Sequence, residues 1–352
     1  MLPAGVKTKR NLLAAMHFSG LDRLFQQVDG ALGVIFTLHR VSAQQPPKFD
    51  PNAHLSVHPD FLDRSIAMLR KRGFVFVSMD EAVARLRRPE RGSRFASLTF
   101  DDAYADFERE ALPVLRSHGV PSTVYVAAGL TDGTADLWWE AVAELVRRRQ
   151  RVLLQTREGP VDLDCTSLGA KMRSFRRIVD HLIEDVEETE LARRVRELCW
   201  LYKVDVDELQ RGELMDWPTL RRLHASDDCV LGSHTVHHYA LARLTAKKAR
   251  EEVIQSAQVM EAALGARPAH FAYPFGYPAA AAHREFEILR RARFRTAVTT
   301  RPGMLYEAHA GALHALPRVS LNGHFQRARY LGPLSSGLPS RLAQKGRALS
   351  VR

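Results

Sequence analysis

The sequence predicts an α/β fold, a single (β/α) barrel of parallel strands, on three observations. Short apolar runs alternate with amphipathic helical stretches, the order that demands parallel strands joined by helical crossovers. A length of 352 residues suits one such barrel. Titratable residues stand directly after several apolar runs, at the strand ends where barrel chemistry collects. With 45% hydrophobic and 26% charged residues, the chain is neither disordered nor a disulfide-stapled miniprotein.

In order along the chain, ALGVIFTLHRV (31–41) reads as a buried strand and HPDFLDRSIAMLRKRG (58–73) as a helix closed by Gly73. FVFVSMDEAVARL repeats the step, with Ser78 or Asp80 as N-cap. ASLTF (96–100) is a strand, ADFEREALPVLRSHG a helix ending at Gly119, and STVYVAAG a further strand. From about 131 to 217 the alternation stops. This charged stretch predicts a helical insertion on one barrel loop, with RVLLQT its one strand signal. Alternation resumes with DCVLGSH (228–234), the helix at 245–265, AHFAYPFG and FRTAVTT (294–300). The expected layout is a helical extension over 1–30, a barrel over 31–326 and a flexible basic tail over 327–352.

Lys plus Arg number 51 against 40 Asp plus Glu, a formal charge of +11 that favours anionic partners without choosing among them. Six basic and no acidic residues lie in the tail from Arg327, so much of the excess stands apart from the motifs described next. Three cysteines without CxxC spacing suggest neither a disulfide framework nor a thiolate zinc site, and favour a reducing compartment. His17, Ser19 and Asp22 interrupt the N-terminal apolar stretches before a signal-peptide core can form, and no window is long enough for a membrane span. A cytoplasmic location is expected.

Three motifs could carry chemistry. In SLTFDDAY, Asp101 and Asp102 follow a strand, where the turning chain lets both carboxylates reach the barrel mouth; one can bind a cation while the other takes a proton. An Asp pair also serves simply as a helix N-cap. In GSHTVHH, His234 and His238 are four apart, which on a helical turn puts both imidazoles on one face, with His237 directed elsewhere. With Asp102 they make three ligands and leave a position open for water, as a catalytic metal requires. In HFAYPFGYP, a stiff Pro-Gly turn carries Tyr273, Phe275 and Tyr277, a wall able to stack on a sugar and offer backbone N–H groups to an oxyanion; a core-packing aromatic turn is the plainer reading.

Together and in this order the motifs resemble the polysaccharide deacetylase family, which includes the nodulation-type chitooligosaccharide deacetylases. LHRV, LWWE and ALPRVSLNG share the resemblance, which spans about residues 31–325. It implies a deformed (β/α) barrel, here with the helical insertion, and a divalent metal, commonly zinc, on Asp102, His234 and His238. It further implies Asp101 as general base and the backbone N–H of Phe275 as oxyanion donor. Tyr104, Tyr273, Pro274 and Gly276 are the expected substrate-binding residues. The implied reaction is hydrolysis of an N-acetyl group.

The sequence departs from the family pattern at Ala103, where Gly is usual, at Tyr239, where Pro is usual, and at Ala272, where an Arg normally orients the base. Arg318 in LPRVS is the candidate to take over that role. No Leu-x-His motif supplies an acid; His39, His314 and His324 are the candidates, and each also reads as an ordinary loop or surface histidine. The expected partner is an N-acetylated glycan, anionic or neutral, with peripheral membrane contact through the basic termini and no nucleic acid. The alternatives are a carbohydrate-binding barrel without turnover, and a deacetylase of O-acetyl esters or non-sugar amides. Trp138, Trp139 and Arg147 to Arg149 either border the substrate groove or, for the tryptophans, anchor the insertion.

Overall fold

The computed structural model describes residues 4–89 and 92–344. Eight parallel strands form one sheet: β1 (Gly33–Leu38), β2 (Phe74–Phe76), β3 (Arg94–Phe100), β4 (Ser122–Val126), β5 (Cys229–Ser233), β6 (His270–Ala272), β7 (Thr296–Val298) and β8 (Val319–Ser320). Their spatial order is β7-β6-β5-β4-β3-β1-β8, and β2 pairs with the start of β3 where β4 pairs with its end. Every residue of β1 and β4 is buried, because helices or neighbouring strands cover both faces. That is why these strands read as unbroken apolar runs. The Leu316 N–H donates to the Ala297 carbonyl at 3.1 Å and the Thr299 N–H to the Leu316 carbonyl at 2.9 Å. The segment entering β8 therefore runs beside β7, and the curled sheet closes on itself.

Local signals set the helix ends. Helices α1 (Ala4–Phe18) and α2 (Leu21–Val28) precede β1; α3 (Pro59–Lys71) opens on a proline and gives way to Gly73 at φ 83°. In α4 (Met79–Arg87) the Ser78 hydroxyl accepts the Glu81 N–H at 3.2 Å, so Ser78 is the cap. No helix among the described residues is long and apolar enough to cross a membrane.

Two expectations are corrected. The insertion is not purely helical: between helices Trp138–Arg148 and Leu168–Glu184, Arg151–Thr156 pairs antiparallel with Gly159–Asp164. Leu145, Val152, Ile178, Leu182, Val195 and Cys199 give this mixed insertion a core of its own. The basic tail is ordered over most of its length. Helices Ala328–Ser336 and Leu338–Ala343 follow β8, and Tyr330, Leu331 and Leu334 share one apolar cluster with Leu13 and Met16 of α1. Burial of this apolar set outweighs the chain entropy that the charges alone would leave unopposed. The end of the expected tail, 345–352, lies outside the described residues.

Candidate active site

The site is assembled at the C-terminal ends of β3, β5 and β6. After β3 the chain turns through two left-handed residues, Asp102 at φ 71° and Ala103 at φ 57°, a conformation costly for any residue with a Cβ. This turn lets two adjacent carboxylates, which a continuing strand would send to opposite faces, serve one site. After β5, Thr235 at φ 67° and His238 at φ 57° fold the loop back on itself. The two imidazoles meet through this loop and not through a helical turn, as the four-residue spacing had suggested.

Asp102 Oδ1 lies 3.4 Å from His234 Nε2 and 3.3 Å from His238 Nε2. All three side chains are buried, and their ligand atoms lie within 4.8 Å of one another. His234 Nδ1 donates to the Ala272 carbonyl at 2.7 Å, which fixes the ring and leaves Nε2 free to face the carboxylate. Asp102 Oδ1 is buried and has no hydrogen-bond donor among the described residues. An orphaned carboxylate oxygen between two imidazoles is the donor set a divalent cation completes, and it fits zinc chemistry. Burial pushes the Asp102 carboxyl up, yet the positive charge that His238 and His234 can carry so close to it holds it well below the usual range. His238 itself is lowered by burial, despite Asp102; His234 is raised because its interactions with Asp102 and Asp101 outweigh burial.

Asp101 is engaged separately. Arg318 Nη1 and Nη2 donate to its two carboxylate oxygens, each at 2.7 Å. Nε of the same guanidinium donates to the Thr299 carbonyl at 2.9 Å, and Nη1 also reaches Thr99 Oγ1 at 3.0 Å. Arg318 is only 1% exposed. Burial alone would raise the Asp101 carboxyl, but the charge and hydrogen bonds of Arg318, followed by His234 and His39, bring it below its ordinary value. The result is a carboxylate kept ionised in a dry site.

Phe275 sits at φ 60° in a three-residue turn closed by the Gly276 N–H on the Pro274 carbonyl at 2.7 Å, a γ-turn of the strained hand. No acceptor among the described residues takes the Phe275 N–H. A Cβ on Gly276 would come within 2.6 Å of the Thr300 nitrogen, so glycine is required where this turn meets the strand beside it. The Phe275 ring packs 4.9 Å from that of His238, and the Trp139 ring is also 4.9 Å from it.

Two expected substrate contacts are corrected. Tyr273 is fully buried on the helix-facing side, among Phe271 and Phe286, and its hydroxyl donates to the His314 carbonyl at 2.9 Å. Tyr104 is also fully buried; its hydroxyl accepts the Trp139 indole N–H at 3.1 Å, and Arg40 covers its ring. Pro274 and Gly276 are buried and shape the turn. Trp139 therefore anchors the insertion and walls the metal cluster at once.

Of the three candidate acids, His314 bonds the Phe294 carbonyl at 2.8 Å, before the start of β7 and so at the opposite end of the barrel. His324 stacks on His54 at 5.5 Å. His39 follows β1 directly, and its charge bears on both Asp101 and Asp102. Sequence reasoning missed Glu252, which accepts the backbone N–H groups of Val236 and His237 and bonds His237 Nδ1 at 2.7 Å. A carboxylate among the buried residues Ala249, Val253 and Ser256 on one helix was the available signal. It also missed Glu188 of the insertion, which accepts the Ala240 N–H at 2.7 Å and pairs with Arg243 at 2.8 Å, latching the chain just beyond His238.

A closed parallel barrel with an Asp-His-His cluster and an arginine-held carboxylate at its mouth defines the class of metal-dependent hydrolases that cleave acyl bonds. The chain belongs to the polysaccharide deacetylase family, whose sequence profile matches residues 88–159 and 189–295, and whose members hydrolyse amide C–N bonds of acetylated sugars. The unmatched gap takes in most of the second hairpin strand and the Leu168–Glu184 helix of the insertion. Among solved structures the chain is similar to the deacetylase PplD of Streptococcus pyogenes in complex with acetate, at 18% identity and a TM-score of 0.54, over 83% of this chain and 93% of that one. It is also similar to IcaB of Ammonifex degensii, at 18% and 0.54 over 87% and 98%. The deacetylase domain of BpsB from Bordetella bronchiseptica follows at 16% and 0.51 over 83% and 97%. These likenesses show the fold. No curated protein sequence matches the chain.

Proposed function

We propose that the protein removes acetyl groups from N-acetylated sugars of a poly- or oligosaccharide of the chitooligosaccharide type. The observation that carries this reading is the orphaned Asp102 oxygen between His234 and His238, with Asp101, its chain neighbour, held ionised by Arg318. A divalent cation, zinc by donor set, would be held by Asp102, His234 and His238 and would supply Lewis-acid polarisation of the acetyl carbonyl and a more acidic water.

The chain's own residues do the rest. Asp101 takes the proton of the attacking water, and Arg318 keeps that carboxylate charged and oriented. The Phe275 N–H donates to the oxygen on which negative charge develops. His39, the remaining candidate at the mouth, returns a proton to the leaving amine. Trp139 and Phe275 flank the cluster and restrict water around it. The bidentate hold of Arg318 on Asp101 supports turnover over a non-catalytic barrel, since it fills the role left open by Ala272. The excess of basic residues suits an anionic glycan, and the odd cysteine set favours a cytoplasmic setting.

Metal analysis combined with acetate release tests this reading, using N-acetylated chitooligosaccharides, O-acetylated sugars and non-sugar acetamides. Stoichiometric zinc and release from the N-acetylated sugars, both lost in Asp102→Ala, are expected. Full activity of Asp102→Ala, or glycan binding without acetate release from any substrate, would refute it.

A further inference from the structure

The end of the barrel opposite the active site carries two neighbouring surfaces that the chemistry does not use. One is an apolar groove formed by the second half of α1, by α2 and by the Leu338–Ala343 helix. Around it Phe18 is 74% exposed, Leu24 62% and Val28 79%, far more than isolated surface apolar residues require. The other, on the far side of α2, is a cavity of about 770 Å³ lined by His17, Arg23, Lys71, Arg72 and Arg94. Gln27 borders both, and among the described residues neither has an acidic side chain in its lining.

The basic charge is available to a ligand. Arg72 is engaged by Asp22 at 2.8 Å and by Gln26. Among the described residues no carboxylate lies in salt-bridge range of the exposed Arg23 and Lys71, and the buried Arg94 Nη1 and His17 Nδ1 have no hydrogen-bond partner. Asp22 and Asp29, described acidic residues of this region, are buried and paired with Arg72 and Arg341. The sequence adds Lys345, Arg347 and Arg352 directly after the last helix of the groove.

Apolar side chains exposed beside cations without a described carboxylate partner, with Asp22 and Asp29 withdrawn, are complementary to an anionic lipid surface, which offers phosphate to the cations and hydrocarbon to the apolar rim. We propose that this face docks on an anionic phospholipid bilayer, with α2 lying at the interface, lipid phosphate in the basic cavity, and Phe18, Leu24 and Val28 entering the acyl boundary. The cavity is bordered by residues 30–32, 73 and 92–94, which lead into β1, β2 and β3, whereas the metal cluster follows strand ends. Docking thus holds the catalytic mouth away from the bilayer by roughly 20 Å, the length of a seven-residue strand such as β3.

Vesicle flotation with the full chain tests this, comparing phosphatidylcholine alone with an equal mixture of phosphatidylcholine and phosphatidylglycerol. Binding is expected to the mixed vesicles only, and to weaken with salt. Arg23→Gln combined with Lys71→Gln should lower the partition coefficient about thirty-fold. Leu24→Ser combined with Val28→Ser should lower it on the order of a hundredfold. Acetate release from a soluble oligosaccharide should be unchanged in both, which reports intact folding. Absence of flotation with either vesicle, or binding indifferent to both double substitutions, would overturn the proposal. So would a lipid-independent dimer dissolved by Leu24→Ser with Val28→Ser, because that outcome assigns the face to a second copy of the chain.

Discussion

Replacing Arg318 by methionine removes the partner of Asp101 while nearly preserving side-chain volume. Four hydrogen bonds vanish: two to Asp101 at 2.7 Å, one to the Thr299 carbonyl at 2.9 Å and one to Thr99 at 3.0 Å. The carboxylate left behind is solvent-excluded, and an unpaired buried charge costs about 3–5 kcal/mol. Burial is the largest influence on Asp101, so without the guanidinium its pKa should rise above the usual carboxylate range. The sign follows by linkage. In the native protein the depressed carboxyl contributes stability present above its unfolded pKa and lost as pH falls through the folded one. In the variant the raised carboxyl is destabilising at neutral pH and relieved by protonation, so the stability gap should narrow toward acid. Denaturant unfolding at neutral and acidic pH measures that gap. A pH-rate profile of acetate release should show the acid limb at higher pH, with activity at neutral pH down on the order of 10²–10⁴-fold. Arg318→Lys should restore part of the stability but not the bidentate geometry. An acid limb unmoved in Arg318→Met would refute the assignment of Asp101 as the base that Arg318 tunes.

Gly276→Ala should lower kcat on the order of 10²-fold with little change in KM, because a Cβ 2.6 Å from the Thr300 nitrogen displaces the Phe275 N–H; steady-state kinetics on an N-acetylated oligosaccharide read this directly. Trp139→Phe should cost about 1–2 kcal/mol in denaturant unfolding, since the Tyr104 hydroxyl loses its indole donor inside the protein. His238→Ala should abolish stoichiometric metal binding. In the native protein, affinity measured by metal-buffer titration should fall as pH is lowered, because the raised His234 pKa lets protons compete for the same nitrogen.

The strand-end motifs were legible because a buried parallel strand leaves an unmistakable apolar run, and the residue after it must turn into the barrel mouth. Asp101, Asp102, His234 and His238 stand out on that ground. Arg318 was legible only as a cation near the last strand; its fit to Asp101 depends on β8 lying beside β1, which no local pattern encodes. Tyr273 misled because alternation puts it on the same face as Phe275, whereas the strand ends at Ala272 and the positive φ of Phe275 breaks the period. The second hairpin strand, GPVDLD, is largely solvated and carries no apolar run. The final helices were hidden by charge counting, since their basic residues flank the buried Tyr330, Leu331 and Leu334.

The Glu188 latch and the Trp139 wall give the insertion a dependence that its position on a loop would not suggest. Specificity engineering commonly treats such a segment as an exchangeable cassette, but here a swap would release the Ala240 N–H and Arg243 from Glu188 and strip one flank from the His238 ring. A chimera that changes glycan preference without forfeiting the cation must therefore carry a carboxylate and an indole in those two places. The insertion and the loop that carries His238 are mechanically coupled, and across relatives their sequences should vary together.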